Sequence, residues 1–244
     1  MHFPRLGCTP EDLTIADAVG RFAQEQLAPQ AAAIDENAFS ATRHIAGLAE
    51  LGVMGMNLPE SLGGPGVTPT AMLLSLVAIS EACAATSSMI GAHYLGTDAI
   101  LLGGDAQQHA RWLPACARGE KLAAFALTEP RGGSNPADMR TTATRDGDDY
   151  VLHGVKHFIS NAAEADFIVV FAKTDAQAGV RGVSAFIVPR ASPGVQVGQP
   201  ERLMGIRGGH AFEVALDHVR VPVSHRLGGE GSGFKTAMKV LDNS

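Results

Sequence analysis

Apolar and polar positions change their spacing near Lys121, and the change divides the chain into two unlike parts. Before it, Thr9-Pro10-Glu11-Asp12 reads as an N-cap, a proline at the first helical position and an acidic first turn, opening an Ala-rich helix over about 10–34. A second helix is expected over 40–51 with Gly52 as its stop, and the Gly- and Pro-rich stretch 59–69 reads as a loop. Further helices are expected over 70–85, 89–102 and 106–117, the last with Asp105 as N-cap. After Lys121, short β-type runs alternate with turns: 122–127, 141–145, 150–153, 156–160, 167–172, 183–188 and 212–216, with Asp146-Gly147-Asp148 as one of the turns. Near the end, Phe234, Ala237, Met238 and Leu241 return to helical spacing.

The predicted fold class is α+β: an N-terminal all-helical domain (1–120), a small β-barrel or sandwich domain (121–228), and the start of a C-terminal helix (229–244). The expected last helix is still amphipathic at Ser244, with no glycine cap or proline after it, which predicts a fragment, a truncated chain or one half of a split enzyme. A length of 244 residues and a 45% hydrophobic content suit two modest cores. The net charge of -6 and the lack of any basic run argue against a nucleic-acid surface. Cys8, Cys83 and Cys116 lack ligand spacing and read as reduced thiols in a cytoplasmic setting. The most apolar run, 71–79, falls far short of the roughly 20 residues of a membrane span.

The candidate chemistry lies between Phe125 and Ala162. Gly132 and Gly133 allow a tight turn that brings backbone N–H groups toward a ligand, and Ser134 adds a hydroxyl, so an anion such as a pyrophosphate fits this loop. Pro130 and Asn135-Pro136 stiffen its entry and exit, although the same residues also make an ordinary surface turn.

Four motifs in order change that balance. Phe125 to Asn135, Lys156 to Asn161, Leu203-Met204-Gly205-Ile206-Arg207 running on to Val219-Arg220-Val221-Pro222, and Gly229 to Lys235 together resemble the acyl-CoA dehydrogenase family. The resemblance implies an FAD cofactor, an acyl-CoA substrate, an electron-transfer flavoprotein or equivalent acceptor, and a homo-oligomer when a C-terminal four-helix domain completes the protein. It implies cofactor contacts from Phe125, Leu127, Thr128, Gly133, Ser134, Phe158, Ile159 and Ser160, with Thr128 at the pyrimidine edge of the flavin, Ser134 at the pyrophosphate, Phe158 against the ring system and Ser160 near N5 and O4. Substrate contacts fall on Ser134, Gly91, Asp242 and Ser244. No catalytic residue is assigned: Ser244 occupies a position where some relatives carry a glutamate base, and serine cannot serve unaided. Arg131, Asn135 and Phe158 depart from the family's usual Gly, Asp and Trp. An oxidase, desulfinase or monooxygenase on the same scaffold, or a non-catalytic scaffold module, remain alternatives.

Other conspicuous residues read as structural. His153 and His157 fall in strand and turn sequence with no Cys, Asp or Glu at matched spacing and are expected to be surface histidines, and His210 and His218 lack a partner pattern. Glu81 is expected to face solvent or a helix neighbour, and Glu129 to be a structural carboxylate. Met54, Met56, Met72 and Met89 are expected in core packing ahead of an acyl lining.

Overall fold

The computed structural model describes residues 7–133 and 135–243. Helix α1 (Pro10–Phe22) opens on a reciprocal cap, in which the Asp12 N–H donates to the Thr9 hydroxyl and the Thr9 N–H donates to the Asp12 carboxylate. The Thr68 hydroxyl also donates to Asp12, and Thr68 itself caps α4 (Pro69–Ala82), so one carboxylate fastens two helix starts together. A π-type turn, Ala23–Leu27, joins α1 to α2 (Ala28–Asn37), with Pro29 placed in the first turn of α2 where its missing N–H is tolerated. A 3-10 turn, Ala41–His44, leads into α3 (Ile45–Glu50), and Gly52 follows with a φ of 72°.

Two helix boundaries differ from the sequence expectation. Pro69 begins α4 instead of closing the preceding loop. The break before α5 (Ala84–Gly103) falls on extended Cys83, not in the Thr86-Ser87-Ser88 run, which is helical. These hydroxyls compete with helix locally, but here they have tertiary outlets: Thr86 bonds His44 Nδ1 at 3.1 Å, and the Ser80 hydroxyl donates to Ser87 at 2.7 Å. Helix α6 (Ala106–Ala117) follows, capped reciprocally by Asp105 and Gln108.

The remainder is a mixed eight-stranded sheet followed by a helix. Its strands are β1 (Ala123–Ala126), β2 (Thr142–Asp146), β3 (Asp149–Ser160), β4 (Phe167–Lys173), β5 (Val183–Pro189), β6 (Val195–Pro200), β7 (Ala211–Pro222) and β8 (Arg226–Leu227), and α7 (Gly233–Asn243) closes the described chain. The order is β6-β7-β3-β2-β4-β5-β8, with β1 parallel to β4. Only Thr142 and Lys173 pair β2 with β4, and around this narrow join β1, β4 and β5 pack against β2, β3 and β7. Strands β4 and β5 are therefore covered twice. Phe167, Val169 and Phe171 meet Trp112 and Leu113 of α6 and Val240 of α7, while Ile168, Val170 and Phe186 meet Tyr150, Leu152 and Val214 inside the folded sheet. This double burial is why β4 reads as an unbroken apolar run.

The sheet corrects the sequence reading in three places. The expected strands 150–153 and 156–160 are one strand, β3, because two bulges let it pass Gly154 and Phe158 without ending. Gly154 is required there, since a Cβ would lie 2.6 Å from the Thr141 hydroxyl. The expected strand 212–216 continues to Pro222, and β6 and β8 were not anticipated; β6 is largely exposed and β8 has two residues, so neither carries a strong apolar alternation. A third core, among α1 to α5, contains Met54, Met56 and Met89, with Met72 packed at its edge, as core packing required.

Helix α5 ties the helical part to the sheet. A Cβ on Gly96 would sit 2.7 Å from the Cβ of Ala123, so α5 lies directly on β1. One turn earlier, fully buried His93 accepts a 3.1 Å hydrogen bond at Nδ1 from the Ala123 N–H. Burial drives the His93 pKa down to about 4, opposed only in part by the Met54 and Cys116 carbonyls, so the ring is neutral at pH 7. An unfolded chain binds this proton near pH 6.5 and the folded chain only near 4, so stability present above pH 6.5 is lost on acidification through that window. The expected loss is on the order of 3 kcal/mol. Urea unfolding of the wild type and His93→Gln at pH 7 and pH 4.5 checks this: the stability difference between the two pH values should shrink in the variant, and an unchanged difference refutes the assignment to His93.

Candidate functional site

A groove of about 420 Å³ lies where α5, β1, the loop after β1, the end of β3 and α7 converge. Its wall contains Phe125, Leu127, Thr128, Gly133, Phe158, Ile159 and Ser160, which are all of the expected cofactor residues that the structure describes. Ser134, expected at the pyrophosphate, and Ser244, expected at the substrate, lie outside the described residues. Gly91 and Asp242 do not line the groove. Helix α5 instead presents Ala92 and Leu95, and α7 presents Met238 and Leu241, four positions that the sequence motifs did not single out. Helical spacing carries part of the signal, since Met238 and Leu241 belong to the apolar face of the last helix.

Among the described residues the groove wall is apolar, with two hydroxyls and no charged side chain. Among the described residues, neither the Thr128 nor the Ser160 hydroxyl has a hydrogen-bond partner, so both are available to a guest. Phe158 stands out in its backbone. It has a φ of 57° at the bulge between Lys156 and Ile159, and its ring is 56% exposed on the groove, 4.2 Å from the His157 ring centroid. A bulge places two consecutive side chains where a regular strand has one, and here Lys156 turns fully inward while Phe158 turns out. His157 is not a free surface histidine, because Nε2 lies 2.8 Å from Glu201.

Lys156 governs how the loop meets the sheet. Its ammonium is fully buried and donates to the Glu129 carboxylate at 2.8 Å and to the Leu127 carbonyl at 3.2 Å. Glu129 in turn accepts from the N–H groups of Arg140 at 2.6 Å and Thr141 at 3.0 Å, and the His157 N–H donates to the Thr128 carbonyl at 3.0 Å. The loop entry is thus pinned to β3 through Leu127, Thr128 and Glu129, and its exit at Arg140 and Thr141 is tied back to the same Glu129 carboxylate. Burial lowers the Lys156 pKa to about 8, with Glu129 opposing the drop. Burial pushes Glu129 the other way, but the charge and hydrogen bond of Lys156 and the Thr141 and Arg140 bonds outweigh it and hold the carboxylate below its usual value. The pair is therefore ionised at neutral pH. This makes Glu129 the structural carboxylate expected, and adds Lys156 as the partner that the expectation lacked; Glu81 is exposed.

Elsewhere, His153 and His218 were expected to be partnerless, but a bulge gathers them with Asp217, the two rings 4.6 Å apart. His210 bridges the Ala38 carbonyl at 2.7 Å and Glu164 at 3.4 Å. Among the described residues no helix is long and apolar enough to cross a membrane.

Comparison with known proteins agrees with this layout. The profile of the acyl-CoA dehydrogenase N-terminal domain matches residues 9–120, and that of the acyl-CoA dehydrogenase middle domain matches 124–219. The mouse protein named short-chain specific acyl-CoA dehydrogenase, mitochondrial, is 39% identical over 224 residues, which are 91% of this chain and 54% of the mouse protein. A chain in a structure described as the electron transferring flavoprotein of Acidaminococcus fermentans superposes with a TM-score of 0.94 at 35% identity, covering 98% of this chain and 63% of its own. A glutaryl-CoA dehydrogenase from Mycobacterium smegmatis, solved in complex with FADH2, superposes with a TM-score of 0.88 at 32% identity, covering 96% of this chain and 60% of its own. The chain thus spans little more than half the length of the curated relatives it matches. With both profiles in sequence order and solved relatives superposing over nearly all its length, the chain belongs to the acyl-CoA dehydrogenase family.

Proposed function

We propose that the groove holds the isoalloxazine of an FAD and that the chain serves the α,β-dehydrogenation of an acyl-CoA thioester. The convergence of seven motif residues, drawn from β1, the following loop and β3, on one wall carries this reading. The fit rests on chemistry that the groove displays: apolar faces from Phe125, Leu127 and Ile159 for a flat ring, free hydroxyls from Thr128 and Ser160 for its polar edge, and an uncovered aromatic, Phe158, beside it. Its volume lies within the range usual for cofactor pockets. Gly133 keeps the loop backbone near the groove, and Ser134 is assigned the pyrophosphate by its motif. Residues 1–120 are read as the helical unit that shapes one wall, 121–228 as the β unit that carries the ring site, and 229–244 as the first turns of a further helical unit.

The flavin, when bound, supplies the acceptor for the hydride that leaves the acyl β-carbon. The chain's own residues orient and dry the site: α5 and α7 close it with Ala92, Leu95, Met238 and Leu241, which exclude water from the ring. Removal of the α-proton needs a base, and among the described residues the groove wall contains no carboxylate. The described groove residues are therefore assigned cofactor holding, and proton abstraction is assigned to none of them. Gly91, Asp242 and Ser244 retain the substrate contacts implied by their motif positions. An electron-transfer flavoprotein is the proposed electron acceptor, following the Acidaminococcus fermentans structure, and a homo-oligomer is the proposed assembly.

Purified chain mixed with FAD should turn yellow with a protein-perturbed flavin spectrum, and Thr128→Val or Ser160→Ala should weaken binding roughly tenfold, about 1.4 kcal/mol for each lost hydrogen bond to the ring. Colourless protein after desalting defeats the cofactor assignment. Addition of butyryl-CoA should leave the yellow colour intact, and bleaching would show that the base lies within this chain.

Lys156→Met should leave Glu129 buried and unpaired, costing about 3–5 kcal/mol in thermal or urea unfolding. The double variant Lys156→Met with Glu129→Gln should recover most of that stability, since the neutral amide oxygen can still accept from Arg140 and Thr141, while FAD affinity is weakened roughly tenfold because the loop has lost its anchor to β3. Full recovery of FAD affinity in the double variant would show that the pair does not position the loop.

A further inference from the structure

We propose that His153, Asp217 and His218 form a binding site for one divalent transition ion of the zinc, cobalt, nickel or copper class, on the outer face of the sheet and separate from the groove. The site is created by register. Leu152 pairs with Val219 and Gly154 pairs with Leu216, so the single residue His153 on β3 faces two residues, Asp217 and His218, on β7. In a regular strand these two side chains would point to opposite faces. Here His218 has a φ of 54°, and the turn of backbone brings both to the same exposed side as His153.

The resulting geometry suits a metal. One ligand atom from each residue lies within 4.8 Å of the others, with His218 Nδ1 2.7 Å and His153 Nδ1 3.8 Å from the same Asp217 oxygen. Ligands about 2.0–2.2 Å from an ion stand roughly 3–3.5 Å apart, so side-chain rotation alone closes the gap. Two imidazoles and a carboxylate select the borderline ions over calcium or magnesium, which prefer all-oxygen shells. Three protein ligands leave the remaining positions to water.

The surroundings hold the ligands without competing for them. The Asp217 N–H donates to the Gly194 carbonyl at 2.9 Å, and a Cβ on Gly194 would sit 2.3 Å from the Asp217 carbonyl, so the turn leading into β6 braces the bulge from one side. On the other side the Thr142 hydroxyl donates to the His153 carbonyl at 3.4 Å. Arg220, the nearby cation on β7, is taken up by Asp146 at 2.8 Å and Asp149 at 3.3 Å, leaving the Asp217 carboxylate to the histidines.

The test is calorimetric titration of the tag-free chain with Zn²⁺, accompanied by the visible absorption of Co²⁺. One saturable equivalent is expected, and His153→Gln or Asp217→Asn should weaken it by at least roughly tenfold. His218→Gly supplies the variant that keeps the fold, because glycine accepts the left-handed backbone while removing the imidazole. It should melt no lower than the wild type yet lose the same affinity. Wild-type binding no tighter than that of the His153→Gln, His218→Gly double variant would overturn the proposal and leave the cluster as a mutually hydrogen-bonded surface group. Flavin binding plays no part in either outcome.

Discussion

The groove depends on one buried ion pair. Lys156 carries a charge into the interior of the sheet, a placement tolerated only where an opposite charge and further hydrogen bonds receive it. Glu129 and the Leu127 carbonyl do so, and Glu129 is itself held by two backbone N–H groups. The pair sits on the loop that bears Thr128 and Gly133 and on the strand that bears Phe158 and Ser160. A buried ion pair adds little net stability over a well-packed apolar substitute, so its value lies in fixing one geometry between two segments far apart in sequence.

The same strand shows how bulges redirect side chains out of a regular sheet. At the first, between Leu152 and Gly154, the ladder with β7 slips and presents three metal-type ligands to solvent. At the second, between Lys156 and Ile159, it turns the lysine inward and the phenylalanine outward over the groove. Each uses a non-glycine residue with positive φ, His218 on β7 in one case and Phe158 on β3 in the other. Such backbones cost energy relative to regular strand, and they persist because pairing on both sides fixes them.

The helical part serves the groove at a distance. Close approach of α5 to β1 at Gly96 lets Ala92 and Leu95 reach the wall, and the neutral His93 ring accepts the first N–H of β1. From the other side α7 adds Met238 and Leu241 while its buried face, through Ala237 and Val240, packs into the core beneath β4 and β5.

The starts of α1 and α6 were legible because caps are local: Thr9 with Asp12 and Asp105 with Gln108 act within a single turn, whereas Pro69, which opens α4 after the Thr68 cap, reads equally as the end of a loop. The α+β class was legible as well, from the change in periodicity, and the motif residues named from the sequence converge on one groove because they keep fixed neighbours along the chain. The break at Cys83, the continuity of β3 and the weak strand β6 were not, since each is decided by partners remote in sequence, such as His44 for Thr86 and Thr141 against Gly154. The Lys156 to Glu129 pair and the meeting of His153 with His218 likewise belong to tertiary structure. A sequence states which side chains exist, whereas strand register and bulges decide which of them share a face, because a shift of one residue reverses every side chain that follows.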